Sequence, residues 1–258
     1  RTARLAKLGP LLEAADWTAA TEVARELDRR FELPEAKHLA RALPLLAERT
    51  RTLEGDPKLF AAAIPELSAP GPLGPELSGP LRRGLFRALA TAAETLGEQR
   101  IRGHLLGWYW LQAGDRAQAR RALQSALEQG VGPAEARVLL GNLAHDDGDS
   151  GTARESYRRA FCEAPLEVDP TLISDAAVAS LVDEAASLEL SPAAAWVPLV
   201  GWAANLFWLP PEPQGQEPCR TFHQALLASR KGDVAARRRM KELAPLFFEQ
   251  LRDDGKLA

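Results

Sequence analysis

Apolar residues recur along this chain at three- and four-residue intervals almost throughout, the spacing that gathers them on one face of a helix. Val, Ile and Thr are sparse and apolar–polar alternation is missing, while the helix formers Ala, Leu, Arg and Glu dominate. The pattern predicts an all-α protein. It breaks twice. Residues 64–80 (IPELSAPGPLGPELSGP) carry five prolines and three glycines, a composition expected to exclude a helix. Residues 209–218 (LPPEPQGQEP) form the second break. The breaks divide the chain into an N-terminal helical block (1–63), a connector (64–80), a long helical core (81–208), a second connector (209–218) and a C-terminal helical hairpin (219–258).

Inside the core the pattern repeats itself at a constant offset of 34 residues. Leu106-Gly107 matches Leu140-Gly141, and Gly114-Asp115 matches Gly148-Asp149. Ala119, Leu123 and Ala126 fall on Ala153, Tyr157 and Ala160. Small residues at such positions let two helices approach closely, so Gly107/Gly141 and Ala119/Ala153 read as crossing points. Gly114/Gly148 read as helix ends needing positive φ. Trp110, Leu123, Leu143, Tyr157 and Phe161 read as the fill between layers.

The second copy, AEARVLLGNLAHDDGDSGTARESYRRAFCEAP, resembles the tetratricopeptide repeat. It has the family's Leu-Gly, Gly-Asp, Ala, Tyr, Ala and terminal Pro each in place. Two clear repeats lie within residues 100–165. Weaker echoes follow Ala15-Asp16-Trp17 and Lys231-Gly232-Asp233, although Arg237 stands where the family has Ala. The resemblance implies antiparallel hairpins stacked as an α-solenoid, with the degenerate flanks as irregular capping helices. It also implies a partner-binding groove lined by the first helix of each hairpin. The positions concerned are Ile101, His104, Trp108, Leu111 and Gln112 in the first repeat, and Glu135, Val138, Asn142, His145 and Asp146 in the second. The family's carboxylate clamp is not expected here, because only Asn142 matches it and Val138 stands where a lysine is wanted.

Other features add less. Trp196, Trp202 and Trp208 recur every six residues, as a closing core segment or as an apolar interface. Residues 190–211 lack charge, but Pro198, Gly201, Asn205 and Pro210 interrupt them, and a membrane span is not expected. Arg230, Lys231, Arg237, Arg238, Arg239 and Lys241 form a basic cluster, read first as a solvated helix face and second as a phosphate or nucleic-acid contact. The formal charge of -3 is close to neutral and argues for neither a nucleic-acid coat nor a polyacidic ligand.

Cys162 and Cys219 fit neither a disulfide framework nor a metal site, and reduced thiols suit a cytoplasmic protein. The run His145-Asp146-Asp147-Gly148-Asp149 reads as a solvated turn, so neither metal nor cofactor is expected. The chain starts at Arg1 without a methionine, so the native N-terminus is expected to be missing. Arginine in excess of lysine and abundant alanine suggest a GC-rich bacterial genome. No phosphate-binding loop, dinucleotide fingerprint, HExxH or GxSxG motif occurs. The reading is a non-enzymatic scaffold or adaptor that binds a protein or peptide, with self-association through the Trp segment or binding through the basic cluster as alternatives.

Overall fold

A computed structural model describes residues 5–51, 73–187, 192–208, 224–225, 228 and 231–243. The described residues are mostly helical, with strand limited to a single two-residue pair. The chain forms two compact units, Arg1–Ala126 and Leu127–Ala258.

In the first unit, α1 (Leu8–Glu13) turns into α2 (Trp17–Phe31), which pairs with α3 (Pro34–Arg51). On α2 the buried residues Trp17, Ala20, Thr21, Ala24 and Leu27 form one helical stripe. The long α4 (Gly74–Thr95) packs against α1 and buries Leu77, Leu81, Leu85 and Leu89 at four-residue spacing. It also corrects an expectation, because residues 74–80 of the proline-rich connector are its first two turns. Pro75 sits in the first turn, where its missing N–H would be unpaired anyway, and Pro80 removes one hydrogen bond without stopping the helix. The rest of that connector up to residue 72, and the whole of 209–218, lie outside the described residues, as does much of 219–258.

A miniature hairpin follows, β1 (Arg100–Ile101) pairing antiparallel with β2 (His104–Leu105), and then α5 (Leu106–Gln112) and α6 (Arg116–Glu128). The first helix of the first repeat therefore begins at Leu106, not at Arg100. Two consecutive residues with positive φ, Arg102 at +47° and Gly103 at +90°, turn the chain back on itself. At Gly107 an added Cβ would lie 2.4 Å from the Leu123 side chain, so α5 and α6 touch almost backbone to side chain.

The second unit repeats that contact. Helix α7 (Pro133–Asp146) lies antiparallel to α8 (Ser150–Glu163), with Gly141 under the ring of Tyr157, where an added Cβ would come within 2.6 Å. Arg137 pairs with Glu163 at 2.6 Å. Two 3-10 turns (Pro165–Glu167 and Pro170–Leu172) lead to α9 (Ala176–Ala179), α10 (Leu181–Ser187) and α11 (Ala193–Ala203). Helix α11 packs on α8 and α10, with Val197, Leu199 and Val200 buried. Among the described residues no helix is long and apolar enough to cross a membrane.

One turn recurs four times. At Ala15-Asp16, Gly114-Asp115, Gly148-Asp149 and Gly232-Asp233 a residue with positive φ ends one helix, and the Asp that follows caps the next. Each Asp N–H bonds back to a carbonyl five residues earlier, on Leu11, Trp110, Ala144 and Ala228 respectively. Each Asp Oδ1 accepts an N–H three residues on, from Ala19, Gln118, Thr152 and Ala236. Ala15 is the exception among the four, holding φ +58° with a Cβ that costs about 1–2 kcal/mol in that region.

Ala15→Gly should therefore raise the free energy of unfolding by about 1 kcal/mol. Gly141→Ala should lower it by about 1–3 kcal/mol, because the rigid Tyr157 ring cannot swing aside as a methyl group would. Urea unfolding followed by circular dichroism reads both, and equal stability of Gly141→Ala and wild type would contradict the packing described.

Candidate functional site

The expected groove residues fare differently in the two repeats. In the first repeat, Ile101 is buried on β1, so it lines the interior instead of a groove. His104 lies on β2 and stacks on Trp108, with ring centroids 4.4 Å apart and planes 16° from parallel. Trp108 meets Phe86 of α4 edge-on at 5.8 Å and Tyr109 at 4.9 Å. Trp108, Leu111 and Gln112 are all half-buried on α5. The Tyr109 hydroxyl donates to the Ile101 carbonyl at 2.9 Å, and the Leu106 N–H to the Gln99 carbonyl at 2.9 Å. These bonds clamp the small hairpin onto α5 and set the position of His104. Trp110 is buried.

The second repeat corrects the expectation more deeply. Val138 is 1% exposed and belongs to the core. Asn142 bonds three groups of its own chain: one amide N–H donates to the Leu172 carbonyl at 2.6 Å. Its Oδ1 accepts from the Ser174 N–H at 2.9 Å and from the Tyr157 hydroxyl at 2.8 Å. Around these bonds Val168 and Ile173 bury their side chains. The surface expected to receive a partner at Asn142 is covered by residues 165–175. Glu135 and His145 are half-buried and Asp146 is exposed.

The remaining candidates disperse. Trp196 is buried, Trp202 is half-buried and Trp208 is 66% exposed, so the three do not make one apolar patch. Six residues is not a helical period, and a residue with positive φ (Asn205) ends α11 between the second and third. Arg230 lies outside the described residues. Lys231 and Lys241 are exposed and Arg237 is half-buried. Arg238 and Arg239 share Glu242 at 3.4 and 3.3 Å, which offsets part of the basic charge.

The titratable groups behave structurally. Burial pushes the Tyr157 hydroxyl up to about 12, reinforced by the charges of Asp175 and Asp146, so it stays a donor to Asn142. Burial pushes the Cys162 thiol up to about 11, which leaves it an unreactive thiol at neutral pH. Burial alone would raise the Glu155 carboxyl, but hydrogen bonds from Arg158 and Arg159 outweigh it and hold the group below its usual range. Asp149 is lowered by its bonds to Thr152.

Two larger cavities open elsewhere. One of about 500 Å³ lies between Arg154, Glu155, Trp202 and Trp208, and one of about 520 Å³ between Leu39, Leu45, Leu46 and Leu81. Each has one carboxylate in its lining, Glu155 and Glu48. Among the described residues no cluster of three metal-ligating side chains occurs.

No protein-family model, curated protein or solved structure matches this chain. The functional reading therefore rests on the chain's own geometry.

The small hairpin and the covering segment were both missed from the sequence. Arg102-Gly103, just after the helix-ending Gly97, was the signal for the first. Pro165, Pro170 and the capping acids Asp169 and Asp175 were the signals for the second.

The raised Tyr157 group makes stability depend on pH. Because the folded state holds the proton more tightly than the unfolded chain, its contribution is fully present below pH ~10 and is lost as pH rises towards 12. Tyr157→Phe removes that ionisation together with the bond to Asn142, so it should be less stable than wild type at pH 8 by about 1 kcal/mol. The gap should narrow between pH 10 and 12 in denaturant titrations. A gap independent of pH would rule the linkage out.

Proposed function

We propose that this protein is a non-enzymatic interaction scaffold, a tetratricopeptide-like α-solenoid that binds a peptide segment of another protein. The observation that carries the reading is the repeated contact: 34 residues apart, Gly107 and Gly141 admit Leu123 and Tyr157 to within touching distance. The same Asp-capped turn joins the two helices in each case. Hairpins of this kind are used as units of binding surfaces, with specificity set by the side chains between the packed positions.

The binding surface is the α5 face with His104, Trp108, Leu111 and Gln112. These four are half-buried, and the indole is fixed by three aromatic neighbours. A rigid aromatic surface loses little entropy on binding, which suits it as an anchor point. The Asn142 side of the second hairpin is excluded from this surface because residues 165–175 already use its hydrogen bonds. A cytoplasmic setting belongs to the same proposal and suits the free Cys162.

A display selection with random twelve-residue peptides tests it. The chain should enrich a family of related peptides whose affinity falls by about tenfold or more in Trp108→Ala/Leu111→Ala, checked as folded by circular dichroism. Enriched peptides that bind the variant as tightly as wild type would place the binding surface elsewhere.

A further inference from the structure

We infer that the partner segment received at Trp108 is acidic: a peptide with carboxylates flanking an apolar or proline residue. The inference rests on the reading of the α5 face as a binding surface and adds the chemistry of what it binds.

Arg83 and Arg87 on α4 are committed, the former to Glu13 at 2.9 Å and the latter to Asp115 at 3.0 Å. Arg82, on the same helix, is not. Its guanidinium lies 5.5 Å from the Phe86 ring centre, and among the described residues it has no carboxylate partner. Phe86 is the ring on which Trp108 rests edge-on. Arg102 also lacks a carboxylate partner among the described residues, and it occupies the tip of the small hairpin, two residues before His104. One exposed arginine therefore lies beside Phe86, and the other stands in the turn that carries His104.

Arg102 holds a left-handed backbone conformation. Its φ of +47° is a conformation that Gly or Asn adopts with less strain, and hairpin turns of this kind favour those residues. An arginine there is a poor choice for the turn, and a strained residue at an exposed tip points to a use for its side chain.

Guanidinium groups with no carboxylate partner are matched by carboxylates, and the half-buried Trp108 and His104 rings supply contact for an apolar side chain. A nucleic-acid strand fits less well, because it presents a regular series of phosphates and needs a continuous basic track. Two separated arginines do not provide one.

Fluorescence anisotropy with three labelled peptides separates the outcomes. The probes are Glu-Glu-Pro-Phe-Glu-Glu, the same peptide with Gln for every Glu, and the same with Lys, alongside a ten-nucleotide thymidine strand. The acidic peptide should bind about tenfold or more tightly than the Gln peptide, and Arg82→Glu/Arg102→Glu should erase that preference. Both arginines are exposed, so this variant keeps the fold, while Trp108→Ala should weaken both peptides. Equal binding of the acidic and Gln peptides, both lost in Trp108→Ala, would overturn the acidic partner and leave the α5 surface standing. Binding insensitive to Trp108→Ala, or no binding of any peptide, would overturn both. Tighter binding of the thymidine strand than of the acidic peptide would replace the peptide with a nucleic acid.

Discussion

The contact between a glycine backbone and the residue that covers it sets the geometry of both repeats. At Gly141 the Tyr157 ring lies where a Cβ would be, and at Gly107 the Leu123 side chain does the same. Helices that touch this closely have little freedom to slide, because displacing either one opens a gap beside a buried ring. Tyr157 then carries the constraint outward. Held in the core with its hydroxyl kept protonated, it donates to Asn142, and Asn142 fixes the course of residues 172–174. One small residue thus governs a helix pair, a buried hydroxyl and the segment that follows.

The turns show a similar economy of means. A residue with positive φ satisfies the last carbonyls of one helix, and an Asp one residue later satisfies the first N–H groups of the next. Both demands are met by two residues, so the sequence between the helices can be almost anything else. That freedom explains how Ala15-Asp16 and Gly232-Asp233 keep the turn in segments whose packing positions have drifted from the repeat.

This also explains which parts were legible in the sequence. Helical class, the glycine contacts and the Gly-Asp turns follow from local pattern, and local pattern is read directly from residue types and spacing. Residues 74–80 misled because prolines were counted without their place in the helix: in the first turn a proline costs nothing, and deeper in the helix one lost bond is outweighed by Leu77 and Leu81 in the core. The groove positions misled for a different reason. A repeat pattern says which way Asn142 or Val138 faces, but not what the chain itself lays across them thirty residues later. Contacts at that separation depend on tertiary packing, which no single-sequence periodicity contains.

The two departures from the repeat act in opposite directions. After the second hairpin, residues 165–175 return across α7 and consume the hydrogen bonds of Asn142, which closes that surface. Before the first hairpin, residues 100–105 leave the helical path, and this sets His104 against Trp108 and lifts Arg102 to an exposed tip. Had the first helix run on from Arg100 as the repeat implies, His104 would sit one turn before Trp108 on the same helix, with its ring direction set by that helix alone. The strand pairing and the Tyr109 bond fix the imidazole flat on the indole instead. The part of each hairpin that repeats at the 34-residue offset is therefore occupied with holding helices together. The irregular part is where the chain sets an imidazole against a half-buried indole, at the edge of the packing and not in its centre.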